Sequence, residues 1–167
     1  VRVIELTAAH ADDIVTWAYP PPYEAYSLTG ADPGYFTDPA NGFVALIDDE
    51  GLVGYRSFGP DGRVAGGPYN DTALHTRALG WGRAPANAIL DTGGGLRPSL
   101  TGRGLGRTAI AVGLAYGKRV RGPRAWRVTV SSTNARALRV VEALGFRRVI
   151  EFTTGSGLSY WILLRET

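Results

Sequence analysis

Between residues 96 and 107 the chain reads Leu-Arg-Pro-Ser-Leu-Thr-Gly-Arg-Gly-Leu-Gly-Arg, after a strand-like run and before a helix-like one. Gly102, Gly104 and Gly106 alternate through the middle of it. Such a turn aims several backbone N–H groups at one point, because glycine tolerates the dihedrals required and lets a ligand approach the main chain. The helix that follows adds unpaired N–H groups and the positive end of its dipole. Together they make a site for phosphate or pyrophosphate, and they require a strand, a turn and a helix in that order.

The charge distribution points the same way. Residues 1–90 hold 5 Arg against 11 Asp and Glu, a net −6, and residues 91–167 hold 13 Lys and Arg against 4 acids, a net +9. An anion is expected in the basic half, which contains the glycine turn. The acidic half is then free to receive a cation such as an amine; drift of surface charge is the alternative reading. The arginines lack interleaved aromatics and no binding motif accompanies them, so no nucleic-acid partner is expected. No apolar run approaches the ~18 residues that span a membrane, and the first residues carry Arg2, Glu5, His10 and Asp12 without an apolar segment. A cytoplasmic protein with no membrane partner is expected. Cysteine is absent, which excludes disulfide and thiolate chemistry. Methionine is absent even at position 1, as expected of a chain whose initiator has been removed. The length of 167 residues suits a single domain over 1–167.

Along the chain, residues 1–6 alternate as a strand, and Thr7 is a plausible cap for a helix over 8–18. Tyr19-Pro-Pro-Pro-Tyr23 cannot continue it, and residues 24–40 read as loop or short helices. Residues 42–58 predict a hairpin turning at Asp48–Gly51. Residues 59–86 show no period and stay unassigned. A strand from Ala88 reaches Leu96, and Gly93–Gly95 inside it imply a bulge or a close backbone approach. Residues 107–117 have helical spacing, 118–124 read as a basic loop and 125–131 as a strand. Ser132 or Thr133 can cap a helix through Ala143, closed by Gly145 with Phe146 packed back. Residues 148–152 and 159–164 form a closing strand pair. The sum is a mixed α/β (α+β) fold.

The turn fits two known phosphate loops poorly. A Walker A loop needs G-x-x-x-x-G-K-[ST], but Thr101 stands where glycine is required and Arg107 where lysine is. A dinucleotide fingerprint needs G-x-G-x-x-G, and this turn is G-x-G-x-G. Taken with its flanks, Leu96–Arg107 resembles the acyl-CoA pyrophosphate loop of the GNAT superfamily of N-acetyltransferases. Starting 28 residues past Gly106, Asn134-Ala-Arg-Ala-Leu-Arg-Val-Val-Glu-Ala-Leu-Gly-Phe146 is similar to the second hallmark of that superfamily, Asn-x-x-Ala…Glu-x-x-Gly-Phe. Trp17–Tyr23 and Phe58-Gly59-Pro60 look like a bacterial, ribosomal-protein-acetyltransferase-like branch. Two positions depart from the pattern: Thr101 replaces the usual Arg or Gln, and Val141 replaces the tyrosine that protonates the leaving thiolate in many relatives.

The resemblance implies a GNAT-like domain, with a central sheet of six to seven strands flanked by helices and splayed where acyl-CoA binds. It implies acetyl transfer from acetyl-CoA to a primary amine of a small molecule, a peptide or a protein by direct attack, without a metal; an acyl-CoA sensor lacking turnover is the alternative, motivated by Val141. The backbone N–H of Leu96 is the candidate oxyanion donor, and Leu96 and Arg97 would hold the pantetheine arm. Amides of Gly102, Arg103, Gly104, Leu105, Gly106 and Arg107 would hold pyrophosphate, with Arg103, Arg107 or 118–124 at the 3′-phosphate. Asn134 would bind the pantetheine arm or cap its helix. Asp91 is the candidate general base or a structural hydrogen-bond partner. Glu142 is read as solvated or as the partner of Arg139. Trp17, Tyr19, Tyr23, Tyr26 and Tyr35 are candidates for an aromatic acceptor wall, or for packing. His10 and His75 are read as structural. A homodimer is left open.

Overall fold

A computed structural model describes residues 1–167, Ala86 by its backbone alone. The chain forms two compact units, Val1–Ser57 with Gly94–Tyr116 and Phe58–Gly93 with Gly117–Thr167.

The first unit opens with strand β1 (Arg2–Glu5) and helix α1 (Ala8–Ile14). Thr7 caps α1 by accepting from His10 N–H, and the His10 ring accepts in return from Thr7 N–H at 3.2 Å. This gives His10 a structural role. The helix stops at Ile14, four residues before the sequence expectation. Thr16 Oγ1 donates to the Asp13 carbonyl at 2.7 Å and Trp17 Nε1 to its carboxylate at 3.1 Å. These bonds turn the chain back so that the Trp17 ring enters the core. A short helix α2 (Pro33–Thr37) follows, capped by Asp32. Strands β2 (Phe43–Ile47) and β3 (Leu52–Phe58) form the expected hairpin, with β1 antiparallel to β2. Leu6, Ala11, Ile14, Trp17, Phe36, Ala45 and Leu52 make the core of this unit.

Strand β4 (Ile89–Leu96) begins in the second unit and ends in the first. Its last residues lie against β3, where Arg97 N–H donates to the Val53 carbonyl at 2.8 Å. A Cβ at Gly94 would stand 2.3 Å from the Tyr55 carbonyl oxygen, and φ there is +152°. The close approach expected at Gly93–Gly95 is therefore present.

In the second unit, residues 59–86 contain helix α3 (Thr72–Ala78), which the sequence reading left unassigned. Asp71 caps it through Leu74 N–H. Helix α4 runs over Leu105–Arg121, its last residues lying in this unit. The basic loop expected at 118–124 is corrected: Lys118–Arg121 belong to α4, and cations in a last helical turn face the negative end of the dipole. Strand β5 (Ala125–Ser131) is parallel to β4 over Ile89–Asp91 and antiparallel to β7 (Ser159–Glu166) along its whole length. β6 (Arg147–Thr153) pairs on the far side of β7. Helix α5 (Ala135–Ala143) is capped by Asn134, not by Ser132 or Thr133. It closes with Gly145 N–H on the Glu142 carbonyl and Phe146 N–H on that of Val141, the Schellman arrangement. Because β4 runs through both units, the strand order is β1-β2-β3-β4-β5-β7-β6, a seven-stranded mixed sheet of α/β class.

Gly94→Ala forces Cβ into the Tyr55 carbonyl and strains the backbone. It should lower stability by about 2–4 kcal/mol, read as a fall in urea midpoint at unchanged slope. A midpoint within error of wild type would show that β3 and β4 do not meet this closely.

Candidate functional site

The glycine turn lies in the first unit. Gly102 and Gly104 have φ of +78° and +81°, a region that favours glycine, and α4 starts one residue later at Leu105. A Cβ at Gly104 would meet nothing within 4 Å, so its conformation and not crowding demands glycine. Gly102, Arg103, Gly104 and Arg107 are exposed. The N–H groups at the start of a helix have no carbonyl one turn earlier, so those from Gly104 to Arg107 need acceptors from outside the helix. The turn can therefore bind an anion through its main chain.

Upstream, the Leu96 carbonyl accepts from Tyr19 OH at 2.6 Å. The Arg97 side chain is engaged within the unit. It pairs with Asp13, donates from Nε to the Leu52 carbonyl at 2.9 Å and lies 5.4 Å from the Trp17 ring centroid. The expected aromatic wall is not one surface. Trp17 is 3% exposed and belongs to the core, which corrects its candidacy for acceptor binding. Tyr35 packs edge-on against Phe36 and Phe43. Tyr23 and Tyr26 lie together, 6.5 Å between centroids, and Tyr26 is exposed.

The other candidates lie in the second unit. Asp91 is 2% exposed, with both carboxylate oxygens engaged. Arg127 grips them two-pronged, Nε to Oδ1 at 2.5 Å and Nη2 to Oδ2 at 2.8 Å, and Arg63 Nε donates to Oδ2 at 2.7 Å. A general base needs a free lone pair facing its substrate, and this carboxylate is committed to guanidinium groups. Arg127 Nη1 also donates to the Tyr69 carbonyl at 3.2 Å and meets His75 Nδ1 at 2.9 Å. Arginine only donates, so Nδ1 accepts and the His75 proton sits on Nε2. Nε2 has no hydrogen-bond partner among the described residues. Burial lowers the His75 pKa to about 4, helped by the Arg127 charge. Asn134 Oδ1 accepts from Ala137 N–H at 3.0 Å, its capping role. Glu142, expected to be solvated or paired with Arg139, is exposed and pairs with Arg148 at 2.7 Å. Val141 is buried.

The sequence reading missed Arg63, Tyr69 and Arg127. Arg127 carried a usable signal, the one charged residue of its strand, with Asp91 its counterpart on the preceding strand. Arg63 and Tyr69 lie in the segment without a period. Among the described residues, no group of three or more His, Asp or Glu could hold a metal ion.

A family model described as "Acetyltransferase (GNAT) family" matches residues 10–146. The chain belongs to the GNAT acetyltransferase family. It is 36% identical over 110 residues to a mycothiol acetyltransferase of Acidothermus cellulolyticus, a match covering 66% of this chain and 31% of that protein. This family member thus spans about a third of the length of that relative. Among solved structures, the GNAT-family acetyltransferase of Bacillus anthracis shares the fold at TM-score 0.67 and 16% identity, covering 98% of this chain and 93% of that one. An aminoglycoside acetyltransferase, AAC(6')-Ib in complex with coenzyme A, does so at TM-score 0.69 and 17% identity, covering 99% and 94%. The same enzyme with coenzyme A and kanamycin gives the same values. No helix of this member is long and apolar enough to cross a membrane, among the described residues.

His75 is neutral in the folded protein down to about pH 4, whereas the unfolded chain takes up that proton near pH 6.5. Between those values the unfolded state binds more protons, so stability must fall as pH falls. The expected slope is up to about 1.4 kcal/mol per pH unit, and it should be absent in His75→Gln. Urea unfolding of both proteins at pH 7, 6 and 5 checks this. Parallel pH profiles would mean that His75 is not buried neutral.

Proposed function

We propose that this protein transfers an acetyl group from acetyl-CoA to a primary amine of a small molecule, a peptide or a protein. The observation that carries this reading is the exposed turn Gly102–Arg107, with two glycines at positive φ directly ahead of α4. Its amides fit a pyrophosphate by donor geometry and by charge. Arg103 and Arg107, both exposed, are free to meet the 3′-phosphate. The oxyanion formed when the amine attacks the thioester carbonyl would be met by Leu96 N–H. In the reaction a C–N bond forms, the C–S bond breaks, CoA leaves as thiolate and the amine gives up its proton.

Two roles are assigned differently from the sequence expectation. Asp91 is proposed to position Arg127 and Arg63 and not to take that proton, because its oxygens are held. The proton then passes to solvent. Val141 offers no acid, but a thiol of pKa about 8.5 leaves as an anion near neutrality without one. Loss of the tyrosine therefore gives little support to a sensor without turnover. Tyr23 and Tyr26, paired and partly exposed, are proposed acceptor contacts, and Asn134 is proposed to contact the pantetheine arm while its Oδ1 caps α5. The ribosomal-protein-acetyltransferase-like branch remains our reading of Trp17–Tyr23 and Phe58–Pro60.

CoA at about 100 times its Kd should stabilise the wild-type protein by about 2.7 kcal/mol, seen as a rise in Tm. Gly104→Glu places a carboxylate in the turn and should abolish that rise. Free-thiol release from acetyl-CoA with kanamycin, amino acids and short peptides then tests turnover. Unchanged CoA binding in Gly104→Glu would place the pyrophosphate elsewhere. CoA binding with no amine-dependent thiol release would favour the sensor.

A further inference from the structure

The second unit contains a cavity of about 190 Å³ that the acetyl-CoA reading does not use. Its polar lining includes Arg63, Tyr69, His75 and Arg127, and Ala84, Pro85 and Ile89 form an apolar side. Two guanidinium groups serve one carboxylate here, because Arg63 and Arg127 both pair with Asp91. The neighbouring acid Asp71 accepts from Leu74 N–H as the cap of α3, and His75 is neutral.

The two arginines are not equivalent. Arg127 is 4% exposed and commits Nε, Nη1 and Nη2 to Asp91, Tyr69 and His75. Arg63 gives Asp91 its Nε alone, and among the described residues Nη1 and Nη2 meet no acceptor. Its side chain is 37% exposed, and it lies 5.3 Å from the Tyr69 ring centroid. A guanidinium anchored at Nε and stacked on an aromatic ring is held in orientation. Its outer edge then presents two parallel N–H groups, the geometry that matches a carboxylate.

We propose that this cavity binds a small organic carboxylate, its two oxygens on Nη1 and Nη2 of Arg63 and its apolar part against Ala84, Pro85 and Ile89. The apolar side has no counterpart in inorganic phosphate. None of these residues lies in the glycine turn, so the site needs no acetyl-CoA and is measured on the free protein.

The test is calorimetry and thermal shift with acetate, propionate, butyrate and inorganic phosphate, at ionic strength matched with sodium chloride. Affinity should rise about fourfold for each CH₂ added from acetate to butyrate, as each enters the apolar side. Phosphate should give no more than the chloride control. Arg63→Gln should weaken butyrate binding at least about tenfold. Ala84→Phe should do the same with every charge in place, by filling the cavity. Carboxylates that act no better than chloride would overturn the proposal. So would phosphate binding in preference to butyrate, or butyrate binding unchanged in both variants.

Discussion

Backbone packed on backbone at the end of β4 is the constraint on which the first unit depends. Gly54 and Gly94 let β3 and β4 approach to a distance at which a Cβ would clash with the Gly95 and Tyr55 carbonyls. The approach fixes where β4 ends, with Arg97 N–H on Val53 and the Leu96 carbonyl on Tyr19. The glycine turn starts a few residues later and inherits that position. A ligand bound through main-chain amides needs those amides held in place, because loop ordering on binding costs free energy. The glycines therefore have two separate tasks: absence of a side chain in β4, and positive φ in the turn.

The second unit is organised around a charge and not around a void. Asp91 and Arg127 sit directly opposite in parallel register, both nearly inaccessible. A buried carboxylate is tolerable only with its oxygens hydrogen-bonded, and here three charged donors meet it. Arg127 in turn fixes the His75 tautomer and holds the Tyr69 carbonyl. Residues 59–86, irregular in sequence, are thereby fastened to two regular strands.

How much of this was legible follows from range in sequence. The hairpin, β5, the closing strand pair and the α5 terminus rest on local alternation, turns and glycine caps, and the reading found them. Helix ends slipped where a cap or side-chain bond outweighed periodicity. Asp13 ended α1 early, and Asn134 took the cap from Thr133. Helix α3 was missed because only seven residues lie in a segment without an apolar stripe. The candidate anion turn was legible because its chemistry lies in consecutive residues.

The family, the strand–turn–helix unit and the turn proposed to bind an anion were legible in the chain alone, because glycine conformation and helix polarity are local properties. Tertiary structure alone decided what the isolated polar side chains do. Asp91 is a plausible base until Arg127 and Arg63, 36 and 28 residues away, occupy its oxygens. Trp17 is a plausible acceptor contact until it is found in the core. Partners so far apart in sequence are joined only by the packing of strands and helices, and that packing sets whether a charge is free to react or held in place.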